Sequence, residues 1–128
     1  MNVKGIAWLG IVSDDPAVRA FYADVLGLPV LDETAAYAYY AVNDMTHLEV
    51  LASTSGTAQH QRHDAPAVGF LVEDVAAGVA ALRQAGVGLL TEVKEWRSET
   101  EIHRWVTFAD PAGNILLLLE RRRLQRHV

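Results

Sequence analysis

The sequence contains no cysteine in its 128 residues. That excludes a disulfide framework, a thiolate zinc site and a cysteine nucleophile, and it suits a reducing, cytoplasmic setting. Methionine (two) and proline (four) are scarce, and the nine glycines follow no period, so the chain is neither collagen-like nor of low complexity. No apolar run reaches the roughly 18 residues of a helical membrane span, and residues 75–82 are among the longest. Residues 5–11 are apolar behind Lys4, as in a signal peptide, but Ser13, Asp14 and Asp15 stand where a small-residue cleavage site belongs, and no leader is expected. Positive charge is also sparse in the body. Four of the eleven basic residues, Arg121, Arg122, Arg123 and Arg126, lie beyond residue 120, leaving seven against sixteen acidic ones. Such a body disfavours a surface that tracks phosphates, so neither nucleic acid nor a membrane is expected as partner. The Arg-rich tail, 121–128, is expected to be a solvated or frayed terminus.

What is present suits one compact domain: 51% of residues are hydrophobic and 21% charged. At this length roughly two-thirds of the unfolded surface can be hidden without staples. The chain also repeats itself. Gly10-Ile11-Val12-Ser13-Asp14 leads into a helical pattern ending at Leu26-Gly27, and about 60 residues later Phe70-Leu71-Val72-Glu73-Asp74 leads into another ending at Ala85-Gly86. Asp14 or Asp15 caps the first helix with Pro16 at its opening, and Gly27 stops it; Asp74 and Gly86 do the same for the second. Val18, Phe21, Tyr22 and Val25 form the expected buried stripe of one helix, and Val75, Val79 and Leu82 that of the other. Strand-like pieces follow each helix, at 29–31 and 88–91, then a strand, a turn and a strand, at 37–51 and 105–120. The expectation is an α+β chain of two β-α-β-β-β modules: module 1 at about 1–52, a polar linker at about 53–65, module 2 at about 66–120, and the basic tail. Two such sheets close around a cavity, in one chain or between two, which makes a homodimer a natural state.

The opening strand ending Val12-Ser13-Asp14, the helix with Arg19-Ala20-Phe21-Tyr22 and Leu26-Gly27-Leu28, the second opening 70–74 and the closing turn Asp110-Pro111-Ala112-Gly113-Asn114 resemble the vicinal-oxygen-chelate superfamily. This superfamily holds glyoxalase I, extradiol dioxygenases, fosfomycin-modifying enzymes and bleomycin resistance proteins, and the likeness covers nearly all of the chain. Metal-using members take His, Gln or Glu at four strand positions, two per half. Counting seven back from Asp14 and from Asp74, and seven on from Asp110, places these at Ala7, Ala67 and Leu117, with Glu49 as the fourth. One carboxylate cannot hold a divalent ion, so no metal and no other cofactor is expected. The chain is in character like the metal-free, bleomycin-resistance-type binding members.

Alternation puts Ala7, Leu9, Ile11, His47, Glu49, Leu51, Ala67, Gly69, Leu71, Ile115, Leu117 and Leu119 on the face of those positions, with Trp8, Val12, Val68, Phe70, Val72, Leu116 and Leu118 behind, against the helices. Glu49 is the polar group of an apolar face. It contacts a ligand, acts as a base, pairs with Lys4, Arg104 or another basic side chain, or reaches solvent at the cavity mouth. His47 accompanies it, and Tyr37, Tyr39, Trp96, His103 and Trp105 supply aromatic walls, each of which could equally fill the core. The charged segment 96–101 is a candidate lid, and His60 and His63 lie in the mobile-looking linker. Two functions follow. The first is metal-independent binding that sequesters an aromatic or cationic small molecule, as an antibiotic-resistance protein would. The second is a lyase, isomerase or dioxygenase of the same superfamily with Glu49 as base or with a displaced metal. Whether the chain is an enzyme stays open at this point.

Overall fold

In a computed structural model, residues 1–124 are described. The strands are β1 (Val3–Val12), β2 (Val30–Glu33), β3 (Tyr37–Ala41), β4 (His47–Leu51), β5 (Ala67–Val72), β6 (Lys94–Arg97), β7 (Glu101–Ala109) and β8 (Ile115–Arg123). The helices are α1 (Pro16–Ala20), continued by a π-helical turn (Phe21–Val25), and α2 (Val75–Gln84), with a 3₁₀ turn at Thr57–His60. This is the α+β order of two β-α-β-β-β modules. Two compact units divide the chain, Ile6–Val68 and Met1–Gly5 with Gly69–Val128.

In the first unit the strands lie in the order β2-β3-β4-β1. The β1 and β4 strands run parallel with Trp8 opposite His47 and Gly10 opposite Glu49, and β3 meets β4 antiparallel with Tyr39 opposite Glu49. Asn43 ends β3 by accepting from the N–H groups of Met45 and Thr46 at 2.9 and 2.7 Å, which closes the turn into β4. One sheet face packs Ala38, Tyr40, Leu48 and Val50 against Val18, Tyr22 and Leu28. The cap of α1 is Asp15, whose carboxylate accepts from Ala17 N–H at 2.9 Å. Asp14 is engaged elsewhere, by the N–H and hydroxyl of Ser53.

The first helix departs from its expected stripe. After Ala20 it widens, and Leu26 N–H reaches back five residues to the Phe21 carbonyl at 3.0 Å. That wider turn changes the phase of the helix. Val18 and Tyr22 stay on the core, whereas Phe21 is 46% and Val25 70% exposed.

In the second unit the order is β5-β8-β7-β6. Asp74 caps α2 through the N–H groups of Ala76 and Ala77, and Gly86 ends it at φ +79°. Val75, Val79 and Leu82 are buried against Val106, Phe108 and Leu118, as their spacing requires. Glu120 is buried too. Its Oε1 accepts from Val75 N–H at 3.0 Å while Arg122 Nε donates to Oε2 at 2.6 Å, so a helix start is tied to the last strand. Asp110 shapes the β7–β8 turn by accepting from Ala112 and Asn114 N–H, with Gly113 at φ +87°.

Three expectations are corrected here. Trp96 and Arg97 belong to β6, and only a tight turn joins them to β7, with Ser98 N–H on the Glu101 carbonyl at 2.9 Å, so the segment is a paired hairpin rather than a loose connection. Arg121, Arg122 and Arg123 are not frayed but complete β8, opposite His103, Ile102 and Glu101, and Arg126 lies outside the described residues. Residues 88–91 hold one bridge, Leu89 to Phe108, rather than a strand. The segment between β4 and β5 is more ordered than its polarity suggests, since Ala58 and Gln61 are buried.

Candidate functional site

Paired residues of adjacent strands project to the same side of a sheet. In the first unit the face away from the helix therefore carries Trp8, Gly10 and Val12 from β1, His47, Glu49 and Leu51 from β4, Tyr37 and Tyr39 from β3, and Asp32 from β2. This corrects the expected assignment of β1. Trp8 stands with Glu49, and Ile11 packs with the helix core. The physical reason is a one-residue slip, which exchanges the two faces of a strand. With Asp15 rather than Asp14 as the cap, seven residues back is Trp8, not Ala7.

Glu49 is the centre of this face. Its Oε1 accepts from the Trp8 indole N–H at 2.9 Å, and that is the partner it takes instead of Lys4 or Arg104; Arg104 pairs with Glu95 and Glu120. Burial pushes the Glu49 carboxyl up to about 7, against the lowering effect of the Trp8 bond, and the charge of Asp32 adds to the rise. Trp8 itself is 4% exposed, and its six-membered ring lies against Gly10. A Cβ at residue 10 would come within 2.0–2.8 Å of three ring carbons, so glycine is required there.

The flanking rings are also fixed. The Tyr37 hydroxyl donates to Asp32, which with burial pushes the phenol up to about 12. His47 Nδ1 and the Tyr39 hydroxyl share a hydrogen bond of 2.7 Å, and their rings meet edge to face with centroids 4.9 Å apart. Four of the sequence-derived candidates, Tyr37, Tyr39, His47 and Glu49, thus share one face, while Tyr40 points the other way into the core.

The remaining candidates lie in the second unit, on the face that carries Leu117 and Leu119. Trp96 pairs with His103 across β6 and β7, and Trp105 with Leu119 across β7 and β8. His103 is buried, its Nε2 is 3.1 Å from a Glu101 oxygen, and its ring lies 5.0 Å from that of Trp96. Burial holds its pKa below the ordinary value, with the positive charge of Arg121 working the same way and Glu101 opposing both.

Trp8, Gly10 and Asp32 escaped the sequence reading. The Asp14-Asp15 doublet hid the first two by leaving the register open by one residue. Asp32 was hidden by a bulge between Val30 and Asp32 that resets the β2–β3 pairing.

The sequence profile of the Glyoxalase/Bleomycin resistance protein/Dioxygenase superfamily matches residues 5–118. The chain belongs to that superfamily. Among solved structures, methylmalonyl-CoA epimerase from Mycobacterium tuberculosis is similar at 24% identity and TM-score 0.66, covering 92% of this chain and 88% of its own. A hypothetical protein from Bacillus halodurans C-125 is similar at 14% identity and TM-score 0.71, covering 95% and 97%. A superfamily member from Vibrio splendidus 12B01 is similar at 13% and TM-score 0.65, covering 94% and 100%. No curated protein sequence matches. At these identities the likeness concerns the fold, and a fold hosts many chemistries.

The metal of the superfamily's chelating members does not fit this chain. With the corrected register its four strand positions carry Trp8, Glu49, Ala67 and Leu117. Alanine and leucine have no donor atom, and an indole N–H donates hydrogen bonds but ligates nothing. Among the described residues no three His, Asp or Glu side chains converge as a metal set; His60 and His63 are no exception.

Proposed function

We propose that this superfamily member binds a small molecule without a metal, sequestering an aromatic, cationic compound as an antibiotic-resistance protein does. The observation that carries the reading is Glu49, a carboxyl among Trp8, Tyr37 and Tyr39 with its bond to an indole rather than to a basic side chain. A carboxylate amid aromatic rings attracts a cation twice, through its charge and through the ring faces. Within the first unit the contacts are Tyr37, Tyr39, His47 and Glu49; the second unit, taken by itself, offers Trp96, His103 and Trp105 as an aromatic face of its own. A homodimer and a cytoplasmic location belong to the same proposal; the exposed Phe21, Val25 and Leu26 support the former and the absence of cysteine the latter. No helix among the described residues is long and apolar enough to cross a membrane.

The test compares aromatic amines with the matching neutral alcohols by thermal shift. Amines at saturation raise Tm, because a ligand that binds only the folded state stabilises it, and alcohols do not. The Glu49→Gln variant loses the rise. Equal shifts by amines and alcohols, or an unchanged response of the variant, overturn the proposal.

A second reading is supported by the Glu49 carboxyl standing near 7, where a general base is most effective. It is a lyase, isomerase or dioxygenase in which Glu49 takes a proton from carbon, and the likeness to methylmalonyl-CoA epimerases points to the isomerase. Exchange of a substrate C–H for solvent deuterium, lost in Glu49→Gln, is its signature.

A further inference from the structure

Glu49 has two oxygens, and one is taken. The Trp8 N–H holds Oε1 at 2.9 Å, and among the described residues no hydrogen bond engages Oε2. The indole cannot easily leave. It is buried, its ring rests on Gly10 where no side chain would fit, and among the described residues its N–H has no other acceptor. A ligand that displaced it from Oε1 would leave a buried donor unpaired, which is costly.

We propose that Trp8 is a specificity-determining residue: by occupying Oε1 of Glu49 it leaves Oε2 as the acceptor, so the site takes protonated amines and discriminates against amidinium and guanidinium groups. This deepens the cation-binding reading and rests on it. The two cation classes differ in shape rather than charge. An ammonium group meets a carboxylate as a point charge through one N–H, while the planar amidinium and guanidinium groups present parallel N–H pairs that match both oxygens at once. With Oε1 occupied, half of that match is lost.

The experiment uses benzylamine and benzamidine, which carry the same ring and are both cationic at pH 8, titrated into the full-length protein and followed by NMR. Benzylammonium is expected to bind at least tenfold more tightly. In Trp8→Phe both oxygens are free, and the preference falls toward unity or inverts. Because that variant also loses core volume, a second one guards the test. In Glu49→Gln the carboxamide oxygen keeps the indole bond and turns its NH₂ to the ligand, so benzylammonium affinity drops at least tenfold while the Trp8 indole N–H resonance holds its position. Equal binding of the two probes by the wild type, or a preference unchanged in Trp8→Phe, overturns the role of Trp8 and leaves cation binding standing. A wild type that binds neither probe overturns both.

Discussion

The first unit, Ile6–Val68, places a carboxyl among aromatic rings on its sheet face, and the second, from Gly69 onward, places an imidazole in the corresponding setting. One physical cause acts on both groups with opposite results. Desolvation raises the pKa of Glu49, whose charged form is the deprotonated one, and lowers that of His103, whose charged form is the protonated one. Each face therefore favours the neutral side chain. The surroundings differ, however: Glu49 has an indole donor and, among the described residues, no cation in bonding distance, whereas His103 has Glu101 on its ring nitrogen and Arg121 opposite it on β8. The first unit presents a carboxyl with no counter-charge among the described residues, and the second an imidazole for which Glu101 offsets part of the cost of charging while Arg121 adds to it.

The sharpest way to break the contrast is at glycines. Gly10→Ala drives a Cβ into three carbons of the rigid Trp8 ring, which can move only as a whole, and should cost about 3 kcal/mol in a denaturation curve while releasing Glu49 from its donor. In the second unit Gly78→Ala meets the far end of Leu118, a flexible methyl at 2.7 Å, and gains helix propensity. Its net effect should stay within about 1 kcal/mol.

Stability against pH comes next. The folded state holds the Glu49 proton up to about pH 7, and the unfolded chain releases it near 4.5. Folding stability from this group is thus greatest below the lower value and is lost as pH rises through the window, by roughly 3 kcal/mol. Glu49→Gln removes the loss, so its stability relative to wild type should climb between pH 4.5 and 7 and then level off. His103 acts with the opposite sign. Its lowered pKa means that its contribution is present above its ordinary value of 6.5 and disappears as pH falls through the lower, folded one. His103→Gln should therefore gain on wild type during acidification. Two difference curves running in opposite directions would sharpen the comparison, and curves running together would break it.

The smallest effect concerns the register. Asp15→Ala removes the cap of α1 and should cost about 1 kcal/mol. Asp14→Ala should leave the helix intact and loosen the link to Ser53 instead. A larger helix loss from Asp14 would restore the face assignment that the structure overturns.

The order of elements was legible from the sequence because the caps, stops and spacings are local signals: Asp74 with Val75, Val79, Leu82 and Gly86 behave as their pattern requires. The family was legible for the same reason, since its motifs lie in turns and helix starts. The site was only partly so. That Glu49 and His47 share a face followed from alternation, which needs no long-range information, and Tyr37 and Tyr39 stood out as rings of the neighbouring strand. Trp8 did not, because one extra aspartate made two registers equally consistent with the pattern, and it takes the strand pairing and the Asp15 bond to Ala17 to tell them apart. The widening of the first helix after Ala20 and the bulge before Asp32 likewise arise from packing and pairing, which spacing alone does not encode.

The most direct test of Glu49 as an uncompensated carboxyl awaiting a cation is the ¹³C resonance of its side-chain carboxyl followed from pH 4 to 9, alone and with saturating benzylamine. The account requires a midpoint near 7 in the free protein that moves downward when the cation binds. A midpoint in the ordinary glutamate range, unmoved by the amine, would contradict it.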